Sequence, residues 1–340
     1  MDKYEILSCQ NRNLFPERLD EINIRTRSYL SDEEKEGRHI QYSKVFLSDA
    51  QNQYRQLIDS SLYTDILSRE ACSIIEQAPL NGSKIAVLLK TSDAAAPFIF
   101  QSYRLSQEDA TCNNSYLELT IIFERYLKEL KAKGLDMATH LARTWIYVSD
   151  IDNNYNGVVR ARNDVFKSYG LSVDTHFIAS TGIGGNTETR NAYVGMDFLT
   201  YPDIKEEDKL YLKALDHLSP THDYGVSFER GTRLELPDKY IYYISGTASI
   251  DKKGNTIHEG NLAKQTNRLI ENIEALLNEG DATLDDIRYF IVYLRDVSDY
   301  PETEHYMKKH FSHIPYIIVN AKVCRPSWLI EMECVAEKAK

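Results

Sequence analysis

The pattern of apolar and polar positions repeats along the chain at an offset of 146 residues, so that residues 126–150 correspond to residues 272–296. In both copies, apolar residues first recur at the spacing of an amphipathic helix, and the helix ends near a glycine. A run of β-branched and aromatic residues then predicts a buried strand. Four identities align without a gap, at Leu130/Leu276, Gly134/Gly280, Tyr147/Tyr293 and Asp150/Asp296. The chain therefore contains a duplicated helix–strand unit.

Each copy continues with a second predicted helix (155–169 and 300–311) and a closing apolar strand (192–201 and 328–336). Asp150 and Asp296 fall in the strand-to-helix turns, where an aspartate normally caps the helix.

A predicted hairpin precedes the second copy, because residues 240–250 are strand-like and residues 251–254 are typical of a turn. Residues 84–90 and 96–103 are the candidate counterparts of this hairpin in the first copy. Each unit therefore has the order ββ-α-β-α-β. This order predicts an α/β (α+β) fold of two tandem units, with mixed sheets and helices packed on one face.

A charged stretch between Pro202 and Pro220 marks the predicted boundary between the two units. We expect an N-terminal extension at residues 1–35, a degenerate first unit at 36–218, and a catalytic second unit at 219–340.

Charge and cysteine usage narrow the class of protein. With 40 basic and 51 acidic residues the net charge is −11, which disfavours general binding to nucleic acid or an anionic membrane. The five cysteines form no CxxC pair, and no apolar leader or membrane-spanning run is present. His217, His222 and His258 lack the spacing of metal ligands. We expect a cytoplasmic protein with reduced thiols and with no metal, cofactor or nucleic-acid partner.

Glu331 is the most informative candidate for catalysis. Strand periodicity places Leu329, Glu331, Glu333 and Val335 on one face of a predicted central strand. Burying a carboxyl group is costly, and apolar surroundings raise its pKa, so that it can deliver a proton near neutral pH. The alternative is an ion-paired or solvent-facing structural glutamate, which is our interpretation of Glu333.

Several motifs in the last hundred residues are similar to those of the YjgF/Rid family. They are Gly254-x-x-Ile257-x-x-Gly260, Gln265, Asn272-Ile273 and the closing strand at 330–336. The resemblance implies the ββ-α-β-α-β fold and a homotrimer with small-molecule pockets between its subunits.

A longer ordered set of motifs resembles the chorismatases within that superfamily. It comprises Arg143-Thr-Trp145-x-Tyr147, Tyr155 with Arg162, residues 181–184, Tyr224-Gly225, Phe228-x-Arg230, residues 245–250 and residues 323–331. The resemblance implies cleavage of chorismate into pyruvate and a cyclohexadiene or hydroxybenzoate.

The same resemblance assigns roles to residues. Glu331 would protonate the methylene carbon of the enolpyruvyl ether. Arg162 and Arg230 would bind substrate carboxylates, since a guanidinium group matches a carboxylate with two hydrogen bonds. Further substrate-binding residues are expected at Tyr155, Tyr224, Gly246, Thr247, Ala248 and Cys324, the last two shaping product choice. Arg143 is interpreted as structural, pairing with a nearby carboxylate.

Two other functions stay open. An enamine or imine deaminase of the Rid type would carry an arginine two residues after the proline matched by Pro315, where this chain has Ile317. A non-catalytic protein that binds small molecules is the other alternative, because the stretch before Tyr224 is shorter than in the chorismatases and lacks an arginine-containing run.

Overall fold

The computed structural model describes residues 2–10 and 14–340, apart from the side chain of Tyr224. Over these residues the chain forms three successive units, each built around its own sheet. The first unit contains β1 (Lys3–Ser8), α1 (Phe15–Lys35), β2 (His39–Leu47), α2 (Ala50–Ile58), α3 (Ser61–Asp65), β3 (Ala71–Glu76), β4 (Ala78–Pro79) and β5 (Ile85–Ser92). The second contains β6 (Ile99–Tyr103), α4 (Ser115–Ala132), α5 (Met137–His140), β7 (Leu141–Val148), α6 (Ile151–Ser168), β8 (Ala179–Gly184) and β9 (Val194–Thr200). The third contains β10 (Lys209–Leu212), β11 (Gly231–Glu235), β12 (Lys239–Thr247), α7 (Leu262–Glu279), β13 (Ile287–Leu294), α8 (Tyr300–His310), β14 (Tyr316–Asn320) and β15 (Ile330–Ala339).

The three sheets share one strand order. It is β1-β5-β2-β3 in the first unit, β6-β9-β7-β8 in the second, and β12-β15-β13-β14 within the larger third sheet. In each unit the first strand pairs antiparallel with the last, the last pairs antiparallel with the second, and the second runs parallel to the third. A helix connects each parallel pair, as the crossover requires. The predicted fold class of tandem α/β units with mixed sheets is confirmed.

The number of units differs from the expectation, because residues 1–35 are not an extension. Strand β1 pairs with β5 along six residues, and α1 packs on the same sheet. Residues 84–90, predicted as a strand of the next unit, belong to β5 and close this first sheet. Residues 96–103 do supply β6 of the second unit. A first unit thus precedes the two that the sequence repeat revealed.

A short signature in the first unit marks this kinship. Strand β2 ends in Phe46-Leu47-Ser48-Asp49, and β7 ends in Tyr147-Val148-Ser149-Asp150. Asp49 caps α2 by accepting a hydrogen bond from the backbone amide of Asn52. The first helix of this unit is largely polar and its loops differ in length, so the repeat does not extend to it at a fixed offset.

Each sheet is covered by helices on one face and by the other two sheets on the opposite face. Alternate residues of β7 show the division: Ile146 and Val148 pack under α4 and α6, whereas Trp145 and Tyr147 point into a core shared with the first and third sheets. This shared core also holds buried charges. Lys44 Nζ lies 3.3 Å from Asp197 Oδ2 and 3.4 Å from the centre of the Trp145 ring. Within the described residues no helix is long and apolar enough to cross a membrane.

A variant that begins at residue 93 tests whether the first unit is a removable extension. We expect it to lose its sharp thermal transition, because the inner faces of the other two sheets lose their cover and Asp197 loses Lys44. Near-ultraviolet circular dichroism and size-exclusion chromatography measure this. A fragment that is monomeric and unfolds as sharply as the full chain would contradict the three-sheet core.

Candidate active site

A cavity of about 460 Å³ lies where the second unit meets the third. Strand β8 of the second unit lies against β12 of the third, and α6 and β15 complete the walls. Both sides of the cavity therefore come from one chain.

The cavity gathers most of the residues that the sequence singles out. Its walls include Tyr155, Arg162, Arg230, Gly246, Ala248, Cys324 and Glu331. Thr247 is buried outside the wall, where its hydroxyl donates to the Ser245 carbonyl at 2.9 Å. Tyr224 is the last residue of a 3-10 turn beside the cavity residue Gly225, and its side chain lies outside the described part of the structure. The roles assigned to these residues stay predictions.

Helix α6 forms one wall of the cavity, and the sequence analysis identified only two of the residues on it. Along α6, Asp152, Asn156 and Val159 line the cavity together with Tyr155 and Arg162. Their spacing of three and four residues places all of them on one helix face. Once Tyr155 and Arg162 are suspected, helical periodicity alone names the other three.

Glu331 is the second residue of β15, opposite Tyr293 of β13, with 3% of its surface exposed. Burial raises the pKa of its carboxyl group to about 8, and the negative charge of Glu333 adds to this, while Arg230 and Arg143 oppose it. No hydrogen bond within the described chain acts on this carboxyl group. Glu331 is therefore mostly protonated at neutral pH and faces the cavity without a partner.

Gly246 makes room for this carboxyl group. A Cβ atom at position 246 would overlap Glu331 Oε1 and would also lie 3.0 Å from Thr181 Cγ2. Gly182 has a similar effect on the opposite wall, where a Cβ would lie 2.9 Å from the Tyr155 ring. Backbone without side chains thus lets Glu331 and Tyr155 approach the sheet edge.

Arg162 is a buried cation without an acceptor. Only 1% of its surface is exposed, and its Nε and Nη2 atoms find no hydrogen-bond partner among the described residues. Its guanidinium carbon lies 5.7 Å from the centre of the Phe228 ring. A buried guanidinium group normally pairs with a carboxylate, so this one fits an acidic ligand.

Arg230 lies near the same ring but is better anchored. Its Nε and Nη2 atoms donate to the Ser219 carbonyl, at 3.3 and 3.0 Å. Its guanidinium carbon lies 5.4 Å from the centre of the Phe228 ring. The two arginines therefore share one aromatic wall of the cavity.

The remaining charges leave the cavity positive. Arg325 donates to the Gly254 carbonyl at 2.8 Å and lies over the Trp328 ring. Asp152 is neutralised by Arg295 and Lys322, at 2.7 and 3.0 Å, and its pKa is lowered by the hydrogen bond from Arg295. Arg162, Arg230 and Arg325 thus line the cavity together with a carboxyl group whose pKa is raised, which suits a substrate with more than one negative charge.

Cys324 lines the cavity wall and is not placed as a nucleophile. Burial raises the pKa of its thiol to about 12, so it stays protonated at neutral pH. Among the described residues no group of histidine, cysteine, aspartate or glutamate side chains is placed to hold a metal ion.

The two other contacts between units are built from different residues. The strand register places Gly195 and Ala86 at the positions that correspond to Glu331. Between the first and second units, Arg104 occupies the space, with Nη1 3.1 Å from Asp197 Oδ1 and Nη2 2.9 Å from Ser73 Oγ. Between the third and first units, β4 pairs with the edge of β14. Each of these contacts lacks an acid at the equivalent position.

Substituting Arg162 should separate stability from function. We expect Arg162→Met to raise the free energy of unfolding by about 1–3 kcal/mol, because an unsatisfied buried cation is removed. Binding of small dicarboxylates, measured by calorimetry, should be lost in the same variant. Arg230→Met is the matched control and should show no gain in stability, because it breaks bonds to Ser219. A lower free energy of unfolding for Arg162→Met, measured in urea, would contradict the inference that the Arg162 guanidinium group lacks acceptors in the folded protein.

Gly246→Ala should displace Glu331 while the fold survives. The added methyl group overlaps the Glu331 carboxyl, so we expect ligand binding to weaken at least tenfold, as a misplacement of about 1 Å can cause. Gly185→Ala is the control, because Gly185 lies outside the cavity and a Cβ there would meet no neighbour closer than 3.4 Å. Unchanged ligand affinity in Gly246→Ala would contradict the close contact.

Known proteins resemble this chain in two ways. Residues 237–338 match the sequence model of the Endoribonuclease L-PSP family. A RutC family protein from Saccharolobus solfataricus is 37% identical over 101 residues, covering 29% of this chain and 80% of that protein. The 3-aminoacrylate deaminase RutC from Acinetobacter baylyi is 30% identical over 98 residues, covering 28% of this chain and 78% of that protein.

A second group of matches extends beyond the third unit. A 3-hydroxybenzoate synthase from Streptomyces hygroscopicus is 28% identical over 221 residues, covering 57% of this chain and 62% of that protein. The crystal structure of a chorismatase superposes with a TM-score of 0.66 at 18% identity, covering 87% of this chain and 92% of that one. The chain thus has the overall fold of a chorismatase and, through its third unit, belongs to the YjgF/Rid superfamily that includes the Endoribonuclease L-PSP family.

Proposed function

We propose that the protein is a chorismatase-like hydrolase that removes pyruvate from chorismate, with Glu331 as the proton donor. One observation carries the proposal: a buried carboxyl group whose pKa is raised and a buried guanidinium group line the same cavity, and no hydrogen bond from another described residue satisfies the carboxyl group or the guanidinium Nε and Nη2 atoms. The similarity to a 3-hydroxybenzoate synthase and the fold shared with a chorismatase support the choice of substrate.

The substrate carries two carboxylates, and the cavity supplies cations for both. Arg162 offers two donors, Nε and Nη2, that no other described residue engages, and Arg230 and Arg325 also line the cavity. Apolar walls from Val226, Phe228 and Trp328 cover the ring and exclude bulk water.

The chemistry begins with proton transfer from Glu331 to the methylene carbon of the enolpyruvyl ether. This forms a C–H bond, leaves Glu331 as a carboxylate and places a positive charge on the ether carbon. Water then adds to that carbon and returns a proton to Glu331. The resulting hemiketal collapses with cleavage of the ether bond, giving pyruvate and a dihydroxycyclohexadiene carboxylate. Attack by a ring hydroxyl in place of water leads instead to pyruvate and a hydroxybenzoate.

The second and third units of one chain line the cavity. The expectation of a homotrimer came from relatives whose pockets lie between subunits, whereas here the second and third units supply both walls. A homotrimer therefore stays a prediction on which the proposed activity does not depend.

Incubation of the purified protein with chorismate tests the substrate. We expect pyruvate to be released, and Glu331→Gln to lower the turnover rate by at least about a hundredfold, as is typical for loss of a general acid. A coupled pyruvate assay measures the rate, and chromatography of the aromatic product identifies the attacking group. No release by folded wild-type protein would exclude chorismate and favour the deaminase or binding alternatives, and equal rates would remove Glu331 as the donor.

The pH dependence follows from the acid's protonation state. Because Glu331 must carry a proton and its pKa is raised to about 8, activity should be flat below that value and fall above it. The expected decline in kcat/KM approaches tenfold per pH unit on the alkaline side. A decline that begins near pH 4 to 5 would show that Glu331 is an ordinary exposed acid.

A further inference from the structure

Glu333 is a second buried carboxylate on the face of β15 that carries Glu331. Its Oε1 atom accepts a hydrogen bond from Trp145 Nε1 at 2.6 Å, and its Oε2 atom accepts one from Arg143 Nη2 at 2.9 Å. Only about 2% of the Glu333 and Arg143 side chains is exposed. The pair joins the second unit to the third directly beside the catalytic candidate.

Arg143 extends the contact to the floor of the cavity. Its guanidinium group also donates to Ser245 Oγ at 3.1 Å and to Thr181 Oγ1. Thr181 Oγ1 in turn accepts the backbone amide of Gly246 at 2.9 Å, and Gly246 is the residue over which the Glu331 carboxyl lies. One arginine thus fixes four strands, β7, β8, β12 and β15, around that carboxyl group.

We propose that Glu333 and Arg143 are positioning residues for the reaction: Arg143 holds the strands that place the Glu331 carboxyl group over Gly246, and Glu333 beside it disfavours a second carboxylate there. The inference rests on the proposed function, in which Glu331 gives up a proton. Glu333 forms an ion pair with Arg143 and accepts a hydrogen bond from Trp145, and residues two apart in a strand lie about 6.6 Å from one another. A second negative charge so close, in surroundings that water does not reach, is unfavourable, so Glu331 keeps its proton.

Most of the other titratable or charged groups around Glu331 either favour its ionisation or are neutral near pH 7. Arg143 from β7 and Arg230 from the segment before β11 favour ionisation of Glu331. Tyr293 from β13 and Cys324 from the turn before β15 also face it, and burial raises the pKa of both, so they are neutral near pH 7. The remaining charges on the cavity wall are those of Asp152, Arg162 and Arg325. Among these groups Glu333 is the main one whose charge adds to the effect of burial.

The second unit offers a matched comparison. The strand register places Asp197 of β9 at the position of Glu333, and Gly195 at the position of Glu331. Asp197 is also buried in ion pairs, with Lys44 and Arg104, but a glycine stands where the third unit has Glu331. Asp197→Asn therefore disturbs a comparable buried pair while the ion pair of Arg143 with Glu333 stays in place.

The experiment follows the carboxyl carbon of Glu331 by NMR in protein labelled with ¹³C-glutamate, with the signal assigned through Glu331→Gln. In the wild type we expect Glu331 to titrate well above pH 6. In Glu333→Gln its midpoint should fall by about one pH unit or more, the usual effect of losing a neighbouring like charge. Glu333→Asp, which keeps the charge, should restore most of the difference, and Asp197→Asn should leave the midpoint in place.

Two outcomes would overturn the proposal. One is a wild-type Glu331 that titrates near pH 4 to 5, which can be seen even if no variant folds. The other is a midpoint that stays unchanged in Glu333→Gln, or that falls equally in Asp197→Asn, since either result assigns the pair a purely structural role.

Kinetics distinguish this inference from the proposed function. The alkaline limb of the pyruvate-release profile should move with the NMR midpoint, so that the rate of Glu333→Gln relative to wild type drops about fivefold near pH 8 and much less near pH 5.5. The titration itself needs no substrate. If Glu331 of the wild type titrates with a raised midpoint but chorismate is not turned over, the proposed substrate is wrong, and the proposed role of Glu333 and Arg143 is not affected.

Discussion

Each sheet in this protein has helices on one face only, so its other face has to be buried against the other two sheets. This requirement decides which residues point inward along the central strands. Inward positions of β7 carry Arg143, Trp145 and Tyr147. Arg143 and Trp145 both donate to Glu333 of the third unit, and Tyr147 donates to Asp197 of the neighbouring strand β9. The charged groups on the inner face of each sheet find their partners on the other two sheets, and the three units therefore depend on one another.

Buried charged groups link every pair of units in that core. Lys44 and Asp197 join the first and second units, and Arg143 and Glu333 join the second and third. Asp2 lies 2.7 Å from both Lys90 and Lys239 and joins the third unit to the first. Such pairs are costly to form but very destabilising to break on one side, so they favour a single arrangement of the three sheets.

The same arrangement explains why one contact between units differs from the other two. Arg104 fills the first contact and β4 covers another, whereas small residues at Gly182, Gly246 and Ala248 leave space at the third. The residues around that space are poorly satisfied by the part of the chain that the structure describes: Arg162 Nε and Nη2 find no acceptor there, and no hydrogen bond acts on the Glu331 carboxyl group. A cavity whose polar groups await a ligand is the expected property of a binding site, and its instability is offset by the large shared core.

Local patterns in the sequence determined the class of fold, the order of elements in the second and third units, and the identity of Glu331 as a buried acid. Helix and strand periodicities depend on residues only a few positions apart, so they can be recognised directly in the amino-acid sequence. The helix face of α6 could have been predicted in the same way from Tyr155 and Arg162.

Only the tertiary structure decided what depends on distant partners. Residues 1–35 belong to the first unit, which the repeat in the sequence did not reveal. Strand β1 pairs with β5, which lies about eighty residues further along the chain, so no local pattern indicates this pairing. Arg143 and Glu333 are 190 residues apart, and nothing local shows that they meet beneath the catalytic candidate. Thr247 points away from the cavity while its neighbours Gly246 and Ala248 line it. Periodicity fixes which face a side chain occupies, but the partner on that face is set by how the three sheets pack.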